Sequence, residues 1–358
     1  MRVAIDTSGL YTAQAGIARY TRGLLKGLRS LPAKDVQWFE FAWEVANYGY
    51  RQPQRAIKTF YREVFWAKLL APRSLRRRNA ELYHATASYL VRPPSPVKCV
   101  VTLHDLAVLR HPARFRRWHR WSEARRLRRL HEVDRIICVS RFTAEEAMQL
   151  LGLPASRLEV IHNGCDFHPM EPAAVEQKPE FPVPTEFFLF VGSLEPGKNL
   201  ALIREVYRVA AGREIRLPPL LIVGARWLGV GSEGQPPADW HYLGHQPDGA
   251  LVYLYRRALA LVFPSKYEGF GLPVAEAMSL GCPVVCSRVA SLPEVAGEAV
   301  LYSQMEPSAY LDALQRLHRE ATLRAELVEK EKQQARKFSW KRCAEQTVEL
   351  YREVASHR

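Results

Sequence analysis

Residues 263–285 read FPSKYEGFGLPVAEAMSLGCPVV, and this stretch decides the fold. An apolar run leads into a loop that contains Gly269 and Gly271, and Pro273 stands where a helix would begin. Gly281 is placed to end that helix, because proline favours the first helical position and glycine the position just after the last. The order of strand, glycine loop and helix is typical of a unit that binds a ligand at the carboxyl edge of a parallel sheet.

Two glutamates flank this turn. On one unbroken helix, Glu268 and Glu276 would lie about 12 Å apart along the axis and could not serve one ligand. The glycine loop removes that obstacle, since Glu268 can fold over a ligand while Glu276 rises from the helix beneath. Free N–H groups at the helix start suit a phosphate. Taken alone, two glutamates at this spacing favour a solvated surface pair, so the interpretation depends on the rest of the chain.

The pattern of strand and helix recurs on both sides of this stretch. In the second half the strand-like segments are EFFLFVGS, LPPLLIVG, DWHYLGH and LALVFPS, and helical runs cover residues 200–212 and 248–258. The first half contains RVAIDTS, LYHATAS, VKCVVTLHD and DRIICVS, with helical runs at 17–31 and 115–131. Alternation of this kind predicts α/β domains with parallel sheets covered on both faces.

The chain of 358 residues is long enough for two such domains. Residues 169–185 contain five prolines and no apolar periodicity, which is typical of a linker. We therefore expect an N-terminal domain at 1–168, the linker, and a C-terminal domain at 186–337. Residues 338–358 read as an amphipathic helix, with Trp340, Cys343, Thr347 and Leu350 at helical spacing, and we expect it to return to the first domain.

Positive charge is concentrated in the first half. Residues 1–168 hold 29 Lys and Arg against 14 Asp and Glu, whereas the remainder holds 22 against 23. Such a field attracts nucleic acid, anionic lipid or phosphate-bearing substrates, and charge alone does not choose among them. The six cysteines lack CxxC spacing, which favours reduced packing residues. With no long apolar run and no secretory leader pattern, a cytoplasmic protein is expected.

The stretch from Glu268 to Glu276 resembles the E-x7-E signature of glycosyltransferase family 4, a group of retaining enzymes with the GT-B fold. Other segments fit this family in chain order, so the resemblance covers nearly the whole chain: GIARYT, VTLHDL, VSRFTAEE, VIHNGCD, VGSLEPGKNL, HYLGH and SRVASLPEVAGEAVLY. It implies two Rossmann-like domains whose parallel sheets face each other across a cleft. It also implies sugar transfer from a nucleotide-sugar, with the donor mainly on the C-terminal domain and the acceptor on the basic N-terminal one.

GIARYT, LEPGKN and SLPEVAG are most similar to segments of O-antigen and exopolysaccharide mannosyltransferases. This likeness implies hexose transfer, with GDP-mannose the expected donor and a UDP-hexose the alternative. Retention of the anomeric configuration is implied by the family resemblance and not by the spacing of any residues. We identify no protein nucleophile in the sequence. The sequence contains no Asp-x-Asp motif and no paired histidine or cysteine spacing for a divalent ion, so we expect neither a metal nor another cofactor.

The resemblance also assigns roles to single residues. It implies that Glu268 contacts the hydroxyls of the donor sugar, Glu276 the ribose and Lys198 the donor diphosphate, where a fixed cation stabilises the departing nucleotide. His104 is expected over the donor sugar, with Asp105 beside it. Further donor contacts are expected from one glycine of the first half, from the segment HYLGH and from the loop that follows Glu268: Gly16, Tyr242, Leu243, Gly269, Phe270, Gly271 and Leu272.

One position departs from the family pattern. Ser193 stands where many members have an arginine, so one of the two usual phosphate cations is absent. Arg226, after the apolar run LLIVGA, is a candidate substitute, and a solvent-facing arginine is an equal alternative.

Ten arginines and three acidic residues lie between Arg110 and Arg135, with Trp118 and Trp121 interleaved. One interpretation is a solvated helix whose aromatic residues are core. The other is a surface for anionic headgroups or a polyprenyl-diphosphate-linked glycan acceptor, with peripheral attachment to the inner face of the cell membrane. The residues expected to form this surface are Arg116, Arg117, Arg125 and Arg126.

Two other functions remain open at this point. A basic nucleic-acid-binding protein would explain the charge, but the sequence contains no recognisable nucleic-acid-binding module and the glycine and glutamate block would have no role. A GT-B enzyme of another reaction, such as an epimerase or a phosphorylase, would share the fold; no pyridoxal-binding lysine context for a phosphorylase is evident.

Overall fold

A computed structural model describes residues 1–12, 16–32, 35–44, 55–87, 91–165, 177–225, 237 and 239–356. The chain divides into two compact units. The first unit comprises Met1–Gly164 and Ser339–Arg358, and the second comprises Cys165–Phe338. Of the expected linker at 169–185, residues 169–176 lie outside the described part of the chain, and residues 177–185 belong to the second unit.

The first unit contains a six-stranded sheet in which every pair of neighbouring strands is parallel. Its order is β2-β1-β3-β4-β5-β6, so the order reverses between β1 and β3. The strands are β1 Arg2–Asp6, β2 Gln37–Phe41, β3 Leu82–Ala85, β4 Lys98–Leu103, β5 Arg135–Cys138 and β6 Leu158–Val160.

Most helices of the first unit lie in the connections between its strands, and the last one is formed by the C-terminal residues. They are α1 Gly9–Thr12, α2 Gly16–Arg29, α3 Arg55–Tyr61, α4 Ala71–Arg77, α5 Ala107–Arg110, α6 Arg117–Arg128, α7 Arg141–Leu151 and, at the end of the chain, α14 Trp340–Ser356. A π-helical segment, Arg62–Leu70, joins α3 to α4, and 3₁₀ turns span Pro112–Arg114, Arg129–Glu132 and Ala155–Arg157.

The second unit contains another all-parallel six-stranded sheet, of order β12-β11-β10-β7-β8-β9. Its strands are β7 Phe188–Val191, β8 Leu220–Val223, β9 Trp240–Gly244, β10 Ala260–Phe263, β11 Val284–Ser287 and β12 Leu301–Ser303. Strands β8, β10 and β11 are buried along their whole length, as expected for apolar runs covered on both faces. The order reverses between β7 and β10, and ligands collect at such a point in open α/β sheets.

Six helices cover this sheet in the described part of the second unit: α8 Leu200–Gly212, α9 Asp248–Arg257, α10 Leu272–Ser279, α11 Leu292–Ala296, α12 Pro307–Arg319 and α13 Ala321–Ala335. A 3₁₀ turn, Pro196–Lys198, precedes α8. The α/β class and the parallel sheets predicted from the sequence are therefore confirmed.

The long helix predicted at 115–131 is shorter than expected. It begins at Arg117, because Arg116 is extended, with φ −63° and ψ 148°, and it tightens into the 3₁₀ turn Arg129–Glu132. Tightening of this kind is common at the end of a helix. All six cysteines are buried thiols that form no disulfide, as the sequence predicted. No helix within the described residues is both long enough and apolar enough to span a bilayer.

The C-terminal helix α14 packs against α2 in the first unit. A Cβ atom built at Gly23 would overlap the indole ring of Trp340, and one built at Gly27 would overlap the Trp340 carbonyl. Glycine in a helix interior costs about 1 kcal/mol relative to alanine. These two glycines therefore lower the intrinsic stability of α2 but allow the two helices to approach closely.

We predict that Gly23→Ala lowers the free energy of unfolding by about 1–3 kcal/mol, because overpacking against Trp340 outweighs the better helix propensity of alanine. Urea denaturation followed by circular dichroism would measure the change. Gly212→Ala is the matched control, since nothing lies within 4 Å of a Cβ built there and it also occupies a helix. Equal effects in both variants would contradict the packing argument.

Candidate functional site

Lys198 and Glu268 meet in the second unit. Lys198 follows β7 and Glu268 follows β10, and these strands are neighbours at the point where the strand order reverses. Lys198 Nζ lies 2.5 Å from Glu268 Oε1, and the two side chains are 17% and 11% exposed. Two residues predicted to bind the donor thus form an ion pair at the carboxyl edge of the sheet, partly shielded from water.

The turn that carries Lys198 is held by two hydrogen bonds and by one left-handed residue. The carboxylate of Glu195 accepts a hydrogen bond from the Gly197 amide at 2.8 Å. Asn199 adopts a left-handed conformation with φ +59°, which ends the turn and starts α8. The amide of Lys266 donates to the Gly197 carbonyl at 2.8 Å and so joins this turn to the loop after β10. The lysine is therefore fixed by the backbone of both loops.

The loop around Glu268 is fixed from the other side. Ser291 Oγ donates to the Glu268 carbonyl at 2.9 Å. Gly271 has φ +94°, and a Cβ there would lie 2.6 Å from Leu292 Cδ2. Only glycine fits both conditions, and without a side chain it cannot cap the first turn of α10. The Val274 and Ala275 amides donate to the Gly271 carbonyl at 3.0 and 3.2 Å within the first turn of α10, and the positive end of the helix dipole lies at this turn.

Glu276 occupies a different environment. Its side chain lies on α10, is only 4% exposed, and has Oε2 3.4 Å from the hydroxyl of Tyr255. The expected loop residues surround the start of the same helix: Gly269 and Phe270 are buried, Leu272 is its first residue, and the Phe270 ring meets Phe338 edge-on with ring centroids 5.6 Å apart.

The remaining donor-site predictions lie at the ends of β7, β8 and β9. A Cβ at Gly224 would overlap the Gly192 carbonyl, so the loop containing Ser193 lies directly against the end of β8. Tyr242 on β9 is 38% exposed, and the Leu243 carbonyl accepts a hydrogen bond from Gln246 Nε2 at 2.6 Å. Arg226 lies outside the described residues.

His104 and Gly16 belong to the first unit. Gly16 is the first residue of α2. His104 follows β4, and its Nε2 donates to the Thr86 carbonyl at 2.8 Å. Burial lowers the pKa of His104 to about 4, so the ring is neutral at pH 7. With the proton on Nε2, Nδ1 is a hydrogen-bond acceptor. Asp105 accepts from the Ala107 amide at 2.9 Å and thereby positions the start of α5.

A buried polar chain lies behind His104. The Tyr351 hydroxyl is 2.5 Å from His84 Nδ1, His84 Nε2 is 2.8 Å from Thr102 Oγ1, and Thr102 Oγ1 is 2.9 Å from the Tyr20 hydroxyl. The Tyr20 ring meets the His104 ring edge-on at 4.9 Å. Burial, with a smaller contribution from His104, lowers the pKa of His84 to about 3.

The sequence analysis did not identify this chain as part of the site. Polar residues in the strand segments LYHATAS and VTLHD were a signal, because His84 and Thr102 interrupt apolar runs. The connection to Tyr351, 267 positions away from His84, could not be read from local patterns. These residues hold the surroundings of His104 and include one from the C-terminal helix.

The predicted basic surface divides into two parts. Arg116, Arg117 and Arg125 are exposed. Arg126 is instead 20% exposed and pairs with Glu123 at 2.5 Å and Glu63 at 3.3 Å. It therefore ties α6 to the π-helical segment.

The aromatic residues of this region are not core. Trp118 is 62% exposed and Trp121 is 67% exposed, which corrects the interpretation of α6 as a solvated helix with buried aromatic residues. Leu127 of the same helix is buried in the core of the first unit instead.

The described residues contain no group of three or more His, Cys, Asp or Glu side chains arranged to hold a metal ion. The candidate residues of the second unit are the Lys198–Glu268 pair and Glu276, and the candidate residue of the first unit is His104 with its buried supports.

Comparison with known proteins identifies relatives along the whole chain. Residues 15–168 match the family model described as Glycosyltransferase Family 4, and residues 173–334 match that of Glycosyl transferases group 1. The O-antigen chain mannosyltransferase B of Escherichia coli is 34% identical over 308 residues, covering 80% of this chain and 78% of that protein.

Two further comparisons extend this result. The serotype-specific mannosyltransferase WbdA of Escherichia coli is 28% identical over 73% of this chain, which spans 34% of that longer protein. The structure of a sucrose-phosphate synthase from Thermosynechococcus elongatus superposes over 100% of both chains with a TM-score of 0.74 and 19% identity. The latter similarity establishes the fold, which is that of GT-B glycosyltransferases.

We predict that the free energy of unfolding falls as the pH decreases from 7 to 5.5, partly because of His84. The unfolded state takes up a proton near pH 6.5, whereas the folded state does so only near pH 3, so this stabilisation is complete above 6.5 and is lost on acidification. Urea denaturation of the wild type and His84→Gln at both pH values isolates the contribution. A variant with the same pH dependence as the wild type would contradict it.

Proposed function

From the premise that the chain belongs to glycosyltransferase family 4, we propose that it transfers mannose from GDP-mannose to a glycan or lipid-linked acceptor, with retention, in cell-surface polysaccharide synthesis. The observation that carries this proposal is the ion pair of Lys198 with Glu268 at the point where the strand order of the second sheet reverses. The similarity to O-antigen chain mannosyltransferase B supports mannose as the sugar. A UDP-hexose is the alternative donor.

We assign Lys198 to the donor diphosphate. As the glycosidic bond breaks, negative charge develops on the departing nucleotide, and a cation already in place stabilises it without reorganisation. Hydrogen bonds at Gly197 hold the turn, and the ion pair with Glu268 directs the ammonium group. The positive end of the α10 dipole would add a second source of positive potential.

Glu268 then has two roles. It pairs with Lys198, so neither partly buried charge is left without a partner. When a phosphate takes over the ammonium group, the Glu268 carboxylate becomes free to accept hydrogen bonds from hydroxyls of the donor sugar. Glu276, held near Tyr255, is the residue we assign to the ribose.

His104 would act as an acceptor of hydrogen bonds. Its low pKa keeps the ring neutral. The Thr86 carbonyl fixes the tautomer, so that Nδ1 can accept a hydrogen bond from a sugar hydroxyl. A neutral ring adds no positive charge to a reaction whose developing cation is the sugar itself. We therefore assign it to holding a hydroxyl of the transferred sugar.

We propose that no metal ion takes part. In metal-dependent transfer a divalent ion neutralises the leaving diphosphate. We infer that Lys198 supplies that charge in this protein. We also propose that the acceptor is anchored by a polyprenyl diphosphate and that the protein reaches it at the cytoplasmic membrane surface through its basic first half. The exposed Arg116, Arg117 and Arg125 support this attachment.

We predict that Lys198→Ala and Glu268→Ala each lower turnover by roughly 100-fold or more, because each removes a positioned group that acts in the transition state. Release of nucleoside diphosphate in the presence of acceptor would be measured. Lys266→Ala is the matched control: it is an exposed lysine of the same loop, and its amide, which holds Gly197, remains.

Each single variant leaves a partly buried charge without its partner, so folding must be checked by circular dichroism. The double variant, which removes both charges, should be as stable as the better single variant but still inactive. Wild-type turnover in both single variants would show that this pair is not the donor site.

We predict that GDP raises the melting temperature more than UDP does, and that it does so in EDTA. A ligand at 100 times its dissociation constant stabilises the folded state by about 2.7 kcal/mol, which thermal-shift measurements resolve. Stabilisation by UDP and not GDP would reverse the donor assignment. A requirement for a divalent ion would contradict the metal-free proposal.

A further inference from the structure

Exposed apolar side chains are concentrated in two segments of the first unit. Among the described residues, eight of the twelve large apolar side chains that are exposed lie on Arg55–Leu70 or on α6. We call these eight the apolar face: Ile57, Phe60, Tyr61, Phe65, Leu69, Leu70, Trp118 and Trp121. Contiguous exposed apolar surface of this kind usually marks an interaction site.

The segment from α3 through the π-helical turns is apolar on two sides. Trp66 and Ala67 point inward and belong to the core of the first unit. Phe60, Tyr61 and Phe65 point outward and touch one another, with ring centroids 6.4 Å apart for Phe60 and Phe65 and 5.9 Å apart for Tyr61 and Phe65. The inner side is explained by folding, and the outer aromatic cluster is not.

The second segment, α6, lies next to the first. Glu63 of the π-helical segment is 3.3 Å from Arg126 of α6 and 3.8 Å from Arg62. This carboxylate therefore holds the two segments together. On the exposed side of α6, the Arg125 guanidinium lies over the Trp121 ring at 5.6 Å.

Exposed cationic residues lie on the elements of the apolar face and on α4, which follows them directly. Lys68 is exposed on the π-helical segment, Arg73 and Arg76 on α4, and Arg117, Arg120 and Arg125 on α6. Aromatic side chains within a border of lysine and arginine match the boundary between the headgroups and acyl chains of an anionic bilayer. A second copy of the same chain fits less well, because a two-fold contact would place these cations opposite one another.

We propose that the apolar face inserts into the headgroup region of an anionic lipid surface, with Phe60, Phe65, Trp118 and Trp121 as the inserted side chains. This inference rests on the proposed peripheral attachment and deepens it. Attachment by arginines alone is a surface adsorption that salt screens. Insertion adds burial of apolar area, which salt does not screen, and it fixes the orientation of the first unit on the membrane.

The test compares three proteins: the wild type, Phe60→Ser/Phe65→Ser/Trp118→Ser/Trp121→Ser, and the control Met148→Ser/Met305→Ser. The control removes two exposed apolar side chains that lie elsewhere, 39% and 42% exposed. No arginine or lysine changes in either variant. Co-sedimentation would be measured with vesicles of phosphatidylcholine alone and with about 30% phosphatidylglycerol, at about 0.1 M and 0.5 M salt.

We expect the wild type and control to bind the anionic vesicles and to keep part of that binding at the higher salt. The quadruple variant should bind at least tenfold more weakly, with the salt-resistant part lost. Melting temperatures and the thermal shift by GDP should be unchanged, since all four side chains are exposed. A less drastic variant, Trp118→Phe/Trp121→Phe, should bind but lose quenching of tryptophan emission by brominated lipid.

Two results would overturn the inference, and they are distinguishable from failure of the attachment itself. Equal vesicle binding by the quadruple variant and the control would leave attachment by charge standing and remove insertion. A wild-type dimer that the quadruple variant converts to a monomer would identify the face as a contact between copies. If the wild type does not bind anionic vesicles at all, the proposed attachment fails, whereas the transferase assignment is tested separately by Lys198→Ala and Glu268→Ala.

Discussion

Lys198 and Glu268 come into contact because β7 and β10 lie side by side in a parallel sheet, and the other features of the second unit's site depend on that adjacency. The two residues are 70 positions apart, yet their loops leave the same edge of the sheet. The hydrogen bond from the Lys266 amide to the Gly197 carbonyl joins those loops directly. The two loops are therefore tied to each other as well as to the sheet, and a charge held in position is the arrangement that is most effective in electrostatic catalysis.

In the first unit, His104 is held by a different set of contacts. His104 is held by a backbone carbonyl and by the ring of Tyr20, and Tyr20 is connected through Thr102 and His84 to Tyr351. Tyr351 lies on the helix that ends the chain. The close packing of that helix on α2 therefore does more than complete the core, because it supports the surroundings of a candidate site residue.

The arginines of α6 show that one short helix can combine opposite roles. Arg126 faces inward, shares Glu63 and Glu123, and fixes the helix in place. Arg125, its neighbour, faces outward over an exposed tryptophan. Both residues count equally toward the net charge of the chain, but only the outward-facing arginines are accessible to a partner. If the acceptor is carried on a lipid, the same face would bring the protein to the surface where that acceptor is found.

The sequence by itself determined the α/β class, the parallel sheets and the glycine loop around Glu268, because period and turn chemistry are local properties. It also identified the family through short motifs that recur in order. It did not determine which side of α6 faces water: its aromatic residues were compatible with core, whereas in the structure Leu127 is buried, Arg126 pairs with Glu63, and Trp118 and Trp121 are exposed. Nor did it reveal the chain from Tyr351 to Tyr20, since contacts between residues hundreds of positions apart exist only once strands and helices have packed.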